Sequence, residues 1–191
     1  MLNNSRRRAK AQALTLVLAA AALALAVFPR EARPSGQQGE TEGTAGWGTY
    51  DDKKYGFSIK YPRSFVILHR RTRAAGDRPS PVQRVHFQSK AMASGPLADM
   101  EPPQFAVEVF KREGGGALRE LVEAAGWVEE GDAVEPFELE GAKGGLRVRG
   151  MKMIAPNEFY YFATEDYLFR LTPLGEYGPR MLASFKLAAA K

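Results

Sequence analysis

Tyr55-Gly-Phe-Ser-Ile-Lys-Tyr-Pro62 is the stretch from which the fold can be read. Tyr55, Phe57, Ile59 and Tyr61 fall on one face of an extended segment and Ser58 and Lys60 on the other, the alternation of a half-buried strand, which Pro62 closes. The run that follows, Ser64 to Arg71 (SFVILHRR), is apolar on both faces, as an interior strand is. Val82 to Lys90 and Gln104 to Arg112 continue the series. In Gly116 to Ala125 the period changes: Leu118, Leu121, Val122 and Ala125 keep helical spacing, Arg119, Glu120 and Glu123 face away, and Gly126 is placed to end the helix. Four more strands are predicted around Val134–Leu139, Gly145–Met153, Glu158–Thr164 and Tyr167–Thr172. A closing helix spans about Pro179–Phe185, with the proline in its first turn. Short connections between these runs predict a largely antiparallel sheet with helices packed on it, an α+β domain.

Ahead of this domain, Arg6, Arg7, Arg8 and Lys10 precede an uncharged run from Ala11 to Phe28 (AQALTLVLAAAALALAVF), with no acid among them. Basic residues stay on the cytoplasmic side while an apolar run enters the bilayer, so residues 1–28 read as a membrane-targeting segment that places the remainder outside the cytoplasm. Its 18 uncharged residues approach the roughly 20 that a spanning helix needs. Small residues suited to cleavage, such as Ala24-Leu25-Ala26, lie inside the apolar core, and Phe28-Pro29-Arg30-Glu31 follows it, so the flanks favour a retained single-pass anchor over a cleaved signal peptide and a secreted or periplasmic product. Ser5 to Lys10 loosely resembles a twin-arginine signal, but Ala9 stands where that pattern prefers a large apolar residue, and an ordinary basic flank is the better reading. Without cysteine, a lipid-modified leader is excluded, and the exported domain must hold together without disulfides. Residues 29–46 (PREARPSGQQGETEGTAG) have a linker composition; as a coil they reach roughly 23 Å root mean square. The remaining 145 residues, 47–191, fit one domain.

The formal charge of +5 does not point to nucleic acid: four of the 27 cations belong to the targeting segment, leaving 23 against 22 acids.

The opening Tyr55-Gly-Phe-Ser-Ile-Lys-Tyr-Pro62, the central helix ending in Gly126-Trp127, and the terminal Met181-Leu-Ala-Ser-Phe-Lys186 together resemble the PsbP/Mog1-like superfamily, over the whole domain. Members usually carry a tryptophan soon after the Tyr-Pro pair, where Phe65 stands here. The resemblance implies an α/β/α sandwich around an antiparallel sheet. It implies binding rather than catalysis, since relatives include an extrinsic photosystem II subunit, a nuclear GTPase-binding protein and bacterial exported proteins of unknown role.

Catalytic and metal-binding patterns find little support. His69 and His86 stand on neighbouring strands; His69 shares a face with Phe65 and Ile67, and a partly buried packing role outweighs ligation or catalysis for both. There is no Gly-x-Ser-x-Gly elbow. Gly114-Gly115-Gly116 lacks the Gly-Lys-Ser/Thr ending of a phosphate loop, and Glu113 would repel an anion. Glu129, Glu130, Asp132, Glu135, Glu138 and Glu140 could attract calcium, as photosynthetic proteins of the resembled superfamily can. No loop motif gathers them, and a solvated strand edge is the better reading. No enzyme activity, cofactor or metal is expected.

Two features could serve a partner, although a solvated hairpin tip is the favoured reading of the first and core burial of the second. Arg70, Arg71, Arg73, Arg78 and Arg84 surround one inter-strand loop and could meet anionic headgroups. In Glu158 to Phe162 (EFYYF), Tyr160 and Phe162 share one face, Phe159 and Tyr161 the other, so both faces are covered by the core or one of them binds. The expected function is a membrane-tethered or exported non-enzymatic domain that binds a protein or assists complex assembly at the outer face of the cytoplasmic membrane, with Tyr160, Phe162, Arg70, Arg71 and Arg73 as partner-binding residues. The alternative, a small-ligand or lipid-binding module, requires an apolar cavity between sheet and helices.

Overall fold

The computed structural model describes residues 46–72, 78–95, 102–139, 142–151 and 156–188. The targeting segment 1–28, the linker up to residue 45, and Arg73 lie outside the described residues. Among those described, no helix is long and apolar enough to cross a membrane.

Among the described residues there are ten strands and three short helices, the strands forming two antiparallel sheets. β1 (Trp47–Asp52) and β2 (Phe57–Pro62) make a hairpin, and β10 (Lys186–Leu187) joins the other edge of β2. The hairpin turn is closed by Asp52, whose Oδ1 accepts the N–H groups of Lys54 and Tyr55, both at 3.1 Å, while Gly56 takes φ +69°, a region that suits glycine. Oδ2 of the same carboxylate accepts Tyr50 Oη–H at 2.9 Å and an amide proton from Gln83, tying the hairpin to the larger sheet. β1 is absent from the sequence expectation, because its Gly48, Asp51 and Asp52 are poor strand formers. It forms by pairing along its whole length with β2, and the Tyr61 ring lies over Gly48, its Cζ 3.1 Å from where an added Cβ would stand.

The larger sheet runs β3 (Phe65–His69), β4 (Gln83–Ser89), β5 (Phe105–Lys111), β9 (Tyr167–Pro173), β8 (Glu158–Ala163), β7 (Ala142–Arg149) and β6 (Ala133–Leu139). Its inner strands are covered on both faces, so β5 and β8 read as nearly continuous apolar runs. Against one face pack the small sheet and α3 (Gly178–Ala183), enclosing Phe57, Phe87, Phe105, Phe162, Phe169, Met181 and Phe185. Close approach here is tight: a Cβ on Gly145 would lie 2.3 Å from the Phe162 ring. The other face carries α2 (Leu118–Ala124) over β7 and β8, enclosing Phe110, Val122, Trp127, Val148 and Tyr161. α1 (Lys90–Ser94), which the periodicity did not predict, is a single capped turn after β4, with Met92 N–H donating to Ser89 Oγ.

The domain is thus the expected α+β sandwich around a largely antiparallel sheet, with one outer layer shared between α3 and three strands. Gly126 ends α2 at φ +68°, and Pro179 opens α3, as their positions predict.

Candidate functional site

The register of the large sheet sets side chains 84, 108, 170, 161 and 146 in one cross-strand row. Strand alternation turns this row towards the face that carries α2. Glu108, only 7% exposed, accepts from Arg84 Nε at 2.8 Å on one side and from Arg170 Nε at 2.7 Å and Nη2 at 2.5 Å on the other. A lone carboxylate there would be costly to bury, and two charge-assisted partners offset its desolvation. The Arg170 guanidinium also lies 5.6 Å from the Phe110 ring centroid, 5.3 Å from that of Trp127 and 5.7 Å from that of Phe159, an arrangement in which the ring faces attract the cation.

Beside this row α2 leaves part of the sheet face open. Two compartments lie there. The inner one, about 340 Å³, has Phe159, Tyr161, Val148 and Arg170 from the strands, Trp127 and Asp132 from the turns after α2, and Arg78 and Glu129 among its lining residues. The outer one, about 580 Å³, is floored by Phe110 and Leu168 between α2 (Leu121, Ala124) and the segment from Arg78 to Val82. Arg78 and Trp127 line both, so the two form one groove. Trp127 is fixed by its rings' neighbours: it stacks on Tyr161 at 5.5 Å with 18° between planes and meets Phe110 at 4.6 Å. Burial pushes the Tyr161 hydroxyl up to about 12, against the opposing charges of Arg170 and Arg78, so it stays a neutral phenol in the physiological range.

The sequence favours core burial for EFYYF, with Tyr160 and Phe162 as its possible partner-binding residues. Tyr160 and Phe162 are 6% and 0% exposed, inside the core beneath the small sheet, and are not a partner-binding surface as expected. The Tyr160 hydroxyl donates to Glu158 Oε1 at 2.8 Å and is raised to about 12, first by burial and then by that carboxylate. It is Phe159 and Tyr161 that line the groove. Alternation groups these side chains correctly; what covers each face depends on where distant elements pack.

The arginine cluster is also redistributed. Arg84 is committed to Glu108, and Arg78 reaches Glu129 at 3.9 Å on the groove rim. Arg70 and Arg71 line an open depression of about 410 Å³ with His69, Thr72, Val82, Gln83 and Arg84. Arg70 N–H donates to Arg84 O.

The histidines sit on opposite faces: Leu68 is opposite His86 and Val85 opposite His69, so the two rings do not form a site. His69 lies 6.0 Å from the Tyr50 ring on the small-sheet side. His86 is lowered to about 4 by burial, then by Arg84 and Arg70, with Glu108 opposing. An unfolded histidine titrates near pH 6.5, so the unfolded chain binds more protons and stability falls as pH drops from about 6.5 through 4. His86→Gln is expected to flatten that part of the stability profile, as read by thermal unfolding at half-unit pH steps; an unchanged difference between wild type and variant across the window would refute the assignment.

Among the acidic residues, Asp132 closes a turn by accepting Glu129 N–H at 2.8 Å and Met151 N–H at 3.3 Å. Glu135 pairs with Arg147 and Arg149. Among the described residues no three potential metal ligands converge; Glu140 lies outside them. At the triple glycine, Glu120 Oε2 accepts Ala117 N–H at 3.1 Å, filling a donor that a phosphate would use.

The fold and groove define an α+β domain with an open aromatic cleft on one sheet face. No protein-family profile and no curated protein matches the chain. Among solved structures it is similar to the solution structure of cyanobacterial PsbP (CyanoP) from Synechocystis sp. PCC 6803, at 15% identity over 81% of this chain and 99% of that one, with a TM-score of 0.37.

Proposed function

We propose that this chain is a non-enzymatic binding domain, carried to the outer face of the cytoplasmic membrane by residues 11–28, that holds a segment of a protein partner in the groove beside α2 and so assists assembly of a complex there. The observation that carries the reading is the pair of adjoining compartments, sharing Trp127 and Arg78, with aromatic side chains already locked in place. Rigid aromatic walls bind with little loss of side-chain entropy, and a partner that fills two adjacent pockets gains the centrally desolvated contacts that dominate interface energies. Val82, 46% exposed in spite of its apolar side chain, lies along the outer compartment and is a further contact for such a segment.

The test is in-cell crosslinking of the full-length chain, of a chain lacking residues 1–28, and of Ala124→Trp. Ala124 is exposed on α2 and lines the outer compartment, so a bulky ring there fills the groove without entering the core. A partner captured by the full-length chain is expected to be lost from both other chains. Capture that is indifferent to Ala124→Trp would place the interface elsewhere, and capture by the truncated chain would remove the role of the tether.

A further inference from the structure

We propose that the outer edge of β3 pairs with β3 of a second copy of this chain, antiparallel about a two-fold axis at Ile67, so that two large sheets join edge to edge. The proposal is independent of the groove. Among the described residues β3 has β4 on one side and no strand on the other. Arg70 N–H donates to Arg84 O and Lys90 N–H to Ser64 O, so the even-numbered residues from 64 to 70 turn their backbone groups towards β4. The N–H and C=O groups of Phe65, Ile67 and His69 therefore point outward, the template on which a further strand is added.

The two edges of the large sheet differ. β6 carries Pro136, which lacks an N–H, the acids Glu135 and Glu138, and a register shift between Phe137 and Leu139, all of which discourage a further strand. β3 (Phe-Val-Ile-Leu-His) has no proline, glycine, acid or permanently charged side chain and pairs with β4 in unbroken register. With β6 guarded, a head-to-tail contact of β3 with β6, which would build a filament, is disfavoured, and like-with-like pairing of β3 closes as a dimer. The strand is also its own complement. An antiparallel two-fold at its central residue sets Ile67 opposite its own counterpart, Phe65 opposite the counterpart of His69, and Val66 opposite that of Leu68, and it engages all the outward N–H and C=O groups of the strand. Val66 and Leu68 are half-buried, on the face away from Phe65 and outside both core clusters, so this pairing gives each an apolar neighbour. Arg63 and Arg71 flank the strand, and their like charges across the axis confine the pairing to β3.

The chain has no cysteine, so introduced thiols report the register directly. Full-length chains carrying Val66→Cys and Leu68→Cys, each with its own tag, are co-expressed, oxidised and read on non-reducing gels. In the proposed pairing, positions 66 and 68 of the two copies form a non-hydrogen-bonded pair with Cα atoms about 4.5 Å apart, within reach of a disulfide. Like positions lie on the diagonal at about 7–8 Å, beyond that reach. The mixed disulfide is therefore expected to dominate over both self-disulfides. His69→Pro, at an exposed position, removes one outward N–H and sets a ring on the edge while the β4 ladder keeps its donors. It is expected to abolish the mixed disulfide and to halve the protein mass that light scattering reads for the full-length chain in detergent. His69→Ala, which keeps the N–H, is expected to change neither. Self-disulfides as abundant as the mixed one, or a dimeric mass that survives His69→Pro, as a dimer held by residues 1–28 would show, overturns the proposal. So does the absence of any disulfide, the result expected if a strand of another protein occupies this edge.

Discussion

Glu108→Gln is expected to lower folding stability by about 3–5 kcal/mol, the cost of leaving buried cations without their counter-charge. The carboxylate is 7% exposed and is the shared acceptor of Arg84 and Arg170, so its loss leaves two guanidinium groups facing each other across one strand. Glutamine keeps the shape and one acceptor oxygen but none of the charge. Thermal and urea unfolding followed by tryptophan fluorescence read the effect, and a loss below about 1 kcal/mol would mean that the row behaves as a screened surface pair. A companion chain with Arg84→Met, Glu108→Leu and Arg170→Met is expected to recover most of the loss, since apolar replacements of a whole buried ion set are often neutral or stabilising. Recovery of folding there would show that the loss in Glu108→Gln comes from the unpaired cations.

The second large effect is expected at Phe185→Ala, a loss of about 3–5 kcal/mol from removed ring burial and the cavity left behind. Phe185 is 0% exposed just after α3, stacks on Phe57 at 5.7 Å and on Phe162 at 5.9 Å, and meets Phe169 at 6.2 Å. It therefore joins the small sheet, through Phe57, to β8 and β9 of the large one. Phe185→Leu keeps much of the volume and is expected to cost less than half as much; similar losses for the two variants would show that edge and face contacts between rings, rather than volume, hold this layer. Phe185 belongs to the core on the small-sheet side, and the groove residues Trp127 and Tyr161 to the one on the opposite face.

The resemblance carried by Tyr55 to Pro62 and by the Ser-Phe-Lys ending now has a physical meaning. Phe57 and Ile59 are the buried side of β2, and Phe185 stands in the last turn before β10, which pairs with that same strand. The two motifs, at opposite ends of the domain, are neighbours in one three-stranded sheet. Ser184 adds to the contact, its Oγ accepting Lys60 N–H at 3.0 Å. Such ends-together packing is consistent with the two motifs being informative as a pair.

The groove was less legible. Glu158 to Phe162 is conspicuous as aromatic sequence, but a β-strand with apolar residues on both sides gives no sign of which side another element will cover. Trp127 follows a predicted helix stop, where no local spacing marks it as a groove residue, and it is 7% exposed. Arg170 sits in a strand where alternation alone would allow a solvated side chain. No local spacing links positions 84, 108 and 170, which are brought abreast only by the pairing of β4, β5 and β9.

Period and punctuation in the chain were enough to determine the α+β class, the order of β2 to β9 along the sequence and the approximate ends of the two main helices, because each depends on neighbours within a few residues: alternation, helical spacing, a glycine able to take positive φ, a proline in a first turn. The tertiary structure alone decided that Tyr160 and Phe162 are core, that Phe159, Tyr161 and Trp127 face a groove, and that one buried glutamate holds two arginines beside it. Those outcomes depend on cross-strand register and on which face a distant helix covers, and both are settled by contacts between segments tens of residues apart.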